Sequence, residues 1–250
     1  MSSSDAAVSS KASLDKAAVQ ALEQALRTHI AGQVDFGAGV RALYATDASN
    51  YRQFPVGVAF PRTTDDVIEI VRCSREHGVP ILPRGAGTSL AGQCCNVALV
   101  IDASRHLREI LSIDPERKTA RVQPGLVLDD LQRAIKPYGL MYGPDPATHA
   151  WCTFGGMIGN NSCGVHSLVA GLTTDVVEDL DVLTADGLRL RVGRTPPPEL
   201  DAIMREPGRR AEIYRQLRAL RDRYADEIRA RYPRIAPSIR IRARCAVAGV

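Results

Sequence analysis

Aromatic side chains are scarce in this 250-residue sequence: they make up 5% of it, with a single tryptophan. The 45% hydrophobic fraction is ample for a core and excludes a wholly disordered chain, but that core must be built from Ala, Val, Leu and Ile. No apolar run approaches the roughly 20 residues needed to cross a bilayer, so no transmembrane segment is expected. Residues 1–13 are rich in Ser and Ala, carry Asp5 and contain no apolar stretch like that of a secretory signal. The six cysteines, Cys73, Cys94, Cys95, Cys152, Cys163 and Cys245, form no C-x-x-C pair and no regular framework. That spacing argues against a zinc site, a disulfide scaffold or iron–sulfur ligands, and no metal site is expected. A reducing, cytoplasmic location fits best, including the periphery of the inner membrane.

The net charge of +4 hides a division. Residues 1–188 carry 16 basic and 21 acidic side chains, whereas residues 189–250 carry 16 arginines and 7 acids. A basic, nucleic-acid-binding body is thereby excluded.

Strand and helix patterns interleave up to about residue 193. Leu14, Ala18, Ala21, Ala25 and Ile30 recur at helical spacing, with Ser13 as the expected N-cap. Thr63 and Asp66 read as a capping box ahead of Val67, Ile70, Val71 and Ser74, with Gly78 as the stop. Residues 97–101 form an apolar run typical of a strand buried on both faces, and residues 118–123 alternate as a half-buried strand. Val127, Leu128, Leu131 and Ile135 return to a helical period. Asp186-Gly187 between residues 180–184 and 188–192 predicts a hairpin with a tight primed turn. Pro196, Pro197 and Pro198 then break the pattern, and Ile213, Leu217, Leu220, Tyr224 and Ile228 mark one long arginine-rich helix. Its apolar stripe and interspersed acids favour a solvated face over a nucleic-acid surface. The fold class expected is α+β with mixed sheets, divided into an N-terminal helical segment (1–52), a central domain (53–195) and an Arg-rich helix (196–250).

Two glycine-rich segments carry the functional signal. The first is Pro83-Arg84-Gly85-Ala86-Gly87-Thr88-Ser89. Glycines let successive backbone N–H groups converge on an anion such as a pyrophosphate, and Thr88 and Ser89 add hydroxyl donors. The spacing matches neither a Walker nor a Rossmann loop. The second runs from Thr153 through Gly155, Gly156, Gly159, Asn160, Asn161 and Ser162 to Gly164. Four glycines in ten residues fill a core poorly, and such a stretch suits a backbone that a ligand approaches closely.

These segments, with Pro61-Arg62-Thr63, Gly143-Pro144-Asp145-Pro146 and the strand ending in Asp186-Gly187, stand in an order that resembles a known family. It is the PCMH-type FAD-binding domain of the vanillyl-alcohol oxidase / p-cresol methylhydroxylase superfamily. Within it, residues 59–193 most resemble the FAD-linked dehydrogenases of D-2-hydroxy acids (D-lactate, glycolate and D-2-hydroxyglutarate).

The resemblance implies two small α/β subdomains clasping FAD. Pro83, Arg84, Gly85, Ala86, Gly87, Thr88 and Ser89 would cradle the pyrophosphate. Thr153, Gly155, Gly156, Gly159, Asn160, Ser162 and Gly164 would line the opposite side, Pro144 and Asp145 the flavin end, and backbone at Val177 and Val182 the adenine. Thr88 stands where covalent relatives carry histidine, which implies noncovalent FAD.

The implied reaction takes a hydride from a D-2-hydroxy acid to give a 2-oxo acid. The electron acceptor would be an iron–sulfur domain, a cytochrome or a quinone. The substrate domain of relatives is missing here, and after residues 232–235 the sequence departs from theirs, implying an incomplete chain with no catalytic residue assignable. An NADPH-oxidising reductase of the enolpyruvyl-glucosamine type and a non-catalytic FAD-binding fragment are the alternatives. His149 and His166 flank the second segment and read more naturally as structural than as helpers of the flavin. Cys163 reads as a small, partly buried thiol, Trp151 as a packing residue, and the Cys94–Cys95 pair as ordinary packing or surface residues.

Overall fold

The structure is a computed structural model, and it describes residues 14–232. Ser13, Cys245 and the departing segment 236–245 lie outside the described residues. The first layer contains α1 (Lys16–His29), β1 (Gln33–Asp35), α2 (Ala38–Leu43), β2 (Gly57–Phe60), α3 (Thr64–Glu76), β3 (Ile81–Arg84) and β4 (Leu99–Asp102). Its four strands pair in the order β1-β2-β4-β3, with β1 antiparallel and the other three parallel. β2 and β4 are buried along their whole length, as a continuous apolar run requires of central strands.

α3 starts with the expected capping box, in which the Thr63 hydroxyl accepts from the Asp66 N–H and Asp66 reaches back to the Thr63 N–H. Gly78 follows in the left-handed region at φ +64°. The buried Asp66 carboxylate also accepts from the N–H groups of Ala31 and Arg62, both at 2.8 Å, and so fixes the turn after α1. α1 itself is capped by Asp15, whose side chain accepts from the Ala17 N–H. It buries Leu22 and Leu26 at the centre of its inner face; of the expected stripe, Leu14, Ala25 and Ile30 join the same core while Ala21 is exposed. The leucines bury far more apolar area per residue, and they decide the face.

The second layer contains β5 (Ile110–Asp114), β6 (Thr119–Val122), α4 (Leu128–Ile135), α5 (Phe154–Asn160), α6 (Ser167–Ala170), α7 (Thr173–Val176), β7 (Asp179–Leu183) and β8 (Arg189–Gly193). β5–β6 and β7–β8 are separate antiparallel hairpins, joined at the surface by an Arg121–Asp181 ion pair at 2.5 Å. The core here is Leu126, Leu128, Leu131, Ile135, Cys152, Phe154 and Met157.

Three local expectations change. The β7–β8 connection spans residues 184–188 and is not a two-residue primed turn: Thr184 N–H donates to Leu188 C=O, three residues lie between them, Gly187 N–H donates to Thr184 C=O, and Gly187 alone of these has positive φ, +86°. Most of the second glycine-rich segment is helix, because Thr153 caps it and Phe154 and Met157 bury one face. The proline run begins a helix instead of only ending the domain. Pro197 and Pro198 occupy the first turn of α8 (Pro197–Arg205), where a missing N–H costs nothing. α9 (Arg209–Arg231) then runs back along α8 as the expected long helix.

Candidate functional site

Pro83 and Arg84 end β3, paired with Ile101 and Asp102 of β4. Residues 85–89 therefore leave the carboxyl edge of the parallel strands, where α/β sheets bind ligands. Among the described residues, no protein acceptor meets the backbone amides of residues 86–90.

The opposite side of the loop is fully engaged. The Gly87 carbonyl accepts from the Ala48 N–H at 3.0 Å. Arg84 donates to the carbonyls of Tyr44 (3.2 Å), Thr46 (2.8 Å) and Cys94 (3.0 Å), and its guanidinium lies 5.2 Å from the Tyr44 ring centroid. The Tyr44 hydroxyl donates to buried Asp102 at 2.5 Å, and Asp102 also accepts from Ser104. Burial, reinforced by this hydrogen bond, pushes the Tyr44 phenol well above its ordinary value. Asp47 accepts from the N–H groups of Cys94 and Ser49. Burial alone would raise its carboxyl, but the hydrogen bonds outweigh that and hold it below the ordinary 3.8.

α5 forms the facing wall. A Cβ at Gly85 would collide with the Thr153 hydroxyl, so the two glycine-rich segments touch there. Gly156 and Gly159 lie on the exposed side of α5, and a Cβ at Gly159 would meet nothing within 4 Å. Gly155 packs against Pro124. Beyond α5, Asn161 turns left-handed at φ +48° and its side chain accepts from the Thr174 N–H. The Ser162 carbonyl accepts from Thr173.

Gly164 lies so close to the Asp145 carbonyl that no side chain fits, which joins the second segment to Pro144 and Asp145. Asp145 is itself left-handed, φ +44°, and sits 3.4 Å from His166 Nδ1. His149 Nδ1 meets Asp129 at 2.7 Å. A cavity of about 720 Å³ adjoins α5, bordered by Tyr142, Phe154, Gly155, Ile158, Val177 and Val182. It brings Gly155, Val177 and Val182 together but does not reach residues 83–89, Pro144 or Asp145. Val182 is buried there, 2% exposed.

Cys73, Cys95 and Cys152 are buried, and burial pushes each thiol up, whereas Cys163 is exposed and not partly buried. Trp151 does not pack: it is 71% exposed. Among the described residues, no three His, Cys, Asp or Glu side chains gather as a metal group. No helix there is long and apolar enough to cross a membrane. Residues 44–51, against the back of the first loop, carry no site signal in the sequence beyond the loop-forming Asp47-Ala48-Ser49-Asn50 cluster.

The arrangement suits FAD. Free amides at residues 86–90 offer donors to a pyrophosphate, as backbone concavities do for anions. Gly156 and Gly159 leave the exposed side of α5 low, with open space at Gly159, which admits the close approach of a flat, extended molecule.

Comparison with known proteins agrees. The model of the FAD binding domain family matches residues 55–193. D-2-hydroxyglutarate dehydrogenase of Pseudomonas putida is 34% identical over 217 residues, 86% of this chain and 22% of the relative. Glycolate oxidase subunit GlcD of Bacillus subtilis is 43% identical over 162 residues, 64% of this chain and 34% of the relative. The chain thus spans about a fifth to a third of the length of these curated relatives. Among solved structures, an alkyldihydroxyacetonephosphate synthase superposes with a TM-score of 0.62 at 23% identity, covering 68% of this chain and 38% of that one. BBE-like 1 of Physcomitrella patens does so with a TM-score of 0.59 at 24% identity, covering 69% and 37%. These two likenesses speak to the fold. The domain match spans more than half of the chain and falls on the loops just described, and the chain belongs to the FAD binding domain family.

Proposed function

We propose that this chain is the FAD-holding part of an oxidoreductase that converts a D-2-hydroxy acid to its 2-oxo acid. One observation carries the reading: the first loop, whose amides at residues 86–90 meet no protein acceptor among the described residues, touches the start of α5 at Gly85 and Thr153, and Gly156 and Gly159 lie exposed on that helix. Bound FAD would accept the hydride from the substrate α-carbon.

The chain's own residues bind and orient. The amides of residues 86–90, with the Thr88 and Ser89 hydroxyls, hold the pyrophosphate. Thr153, Gly155, Gly156, Gly159, Asn160, Ser162 and Gly164 flank it, Pro144 and Asp145 stand at the flavin end, and backbone at Val177 and Val182 borders the adenine. With Thr88 in the first loop, attachment is noncovalent. The hydroxy-acid substrate is supported by the relatives, which are named for D-2-hydroxyglutarate and glycolate. On this proposal, residues 53–195 form the FAD domain, and the electron acceptor is an iron–sulfur domain, a cytochrome or a quinone.

The test is spectroscopic. The purified chain is expected to take up FAD, show visible flavin absorption and release the flavin on denaturation. Anaerobic addition of D-2-hydroxyglutarate, glycolate or D-lactate is expected to bleach it. A colourless chain that takes up no FAD would overturn the cofactor assignment. Bleaching by NADPH and by none of the hydroxy acids would overturn the reaction and favour the reductase alternative.

A further inference from the structure

Arg84 is the one charged side chain within residues 83–89, yet its guanidinium is taken up by the protein itself. Its fork is spent on three backbone carbonyls from two other segments, those of Tyr44, Thr46 and Cys94. The Tyr44 ring lies beneath it. The loop is moulded over this guanidinium: a Cβ at Gly87 would stand 2.5 Å from Arg84 Nη2, and Gly87 holds φ +71°. Residues 44–48 pin the loop at three points. The Arg84 fork ties its start, the Ala48 N–H ties Gly87 in the middle, and Asp47 takes the Cys94 N–H at its far end. All these bonds use the carbonyls or flanks of the loop, and the amides of residues 86–90 are left without a protein acceptor among the described residues. Residues 44–48 lie before the matched domain, which begins at residue 55.

We propose that Arg84 is a positioning residue and not a phosphate ligand: with residues 44–48 it forms a brace that preshapes the first loop so that its amides alone meet the pyrophosphate. This rests on the FAD reading above. A planar guanidinium that reaches carbonyls of two segments through separate nitrogens while lying over a ring is poorly matched by a compact ammonium, whereas a simple charge contact to phosphate is well matched by one.

The test compares Arg84→Lys, Arg84→Gln and Asp47→Ala, each read by FAD titration and by hydrogen exchange of the flavin-free protein. The brace predicts that all three weaken FAD binding at least tenfold. It also predicts at least tenfold faster exchange of the Ala48 and Cys94 amides, with β2 and β4 unchanged. Recovery of FAD affinity by Lys but not Gln, or weakened affinity with Ala48 and Cys94 still protected, would identify a direct phosphate contact and overturn the proposal. So would wild-type FAD affinity in Asp47→Ala. If the variants fail to fold, exchange in the unaltered chain decides. There the Ala48 and Cys94 amides are expected to open together as urea is raised, and independent opening rejects the brace. A chain that takes up no FAD would defeat the functional reading while leaving the exchange result to judge the brace.

Discussion

Tyr44 links the buried carboxylate of Asp102 to the backbone that Arg84 grips. Removing its hydroxyl leaves Asp102 with Ser104 as its remaining hydrogen-bond partner. Tyr44→Phe is expected to cost about 1.5–3 kcal/mol, the range for hydrogen bonds to charged groups, measured by urea unfolding near neutral pH. The phenol also sets a pH dependence. Because folding raises its pKa, its contribution is complete below the ordinary value of 10.0 and declines as the pH rises above it. Urea unfolding on either side of pH 10.0 should therefore show a smaller alkaline loss in Tyr44→Phe than in the unaltered chain. The remainder should include Tyr142, whose phenol burial also pushes up. An alkaline limb that the substitution leaves unchanged would mean that the Tyr44–Asp102 bond does not govern it.

α5 is the element on which the site turns, and its composition is unfavourable for a helix. Each of its three glycines costs roughly 0.5–1 kcal/mol against alanine. At Gly159 that cost has no packing reason, since nothing stands within 4 Å of a Cβ there. Gly159→Leu is accordingly expected to leave the thermal midpoint of the flavin-free protein unchanged or raised, and to abolish FAD retention. Retained flavin would show that the open face of α5 is not where the cofactor lies.

Elements specified by their own residues were legible in the sequence: α3 through the Thr63–Asp66 cap, and β4 through its apolar run. α5 was hidden because its glycines point away from helix, while Thr153 and the burial of Phe154 and Met157 against α4 impose one. The glycine spacing marked the two segments, which meet at Gly85 and Thr153. The brace was not legible, because its bonds run from Arg84 to backbone carbonyls of Tyr44 and Thr46, about 40 residues earlier, and any residue supplies a carbonyl.

At the scale of the whole molecule, the basic side chains are unevenly divided along the sequence. Half of the basic side chains follow residue 188, while the part holding both glycine-rich segments carries 21 acids against 16 bases. Near the first loop, Arg84 is offset by the carboxylates of Asp47 and Asp102, both tied into the same network. Attraction between full charges is screened by salt, whereas hydrogen bonds from fixed neutral amides are much less so. The FAD dissociation constant is therefore expected to change less than threefold over a tenfold range of ionic strength, measured by fluorescence titration, and a steep salt dependence would contradict this picture. A guanidinium turned inward thus has a consequence for selectivity. Free phosphate and other small anions of the cell find little charge at the loop to hold them. Occupancy then falls to the molecule long enough to span both walls, and the fold discriminates by shape what it declines to attract by charge.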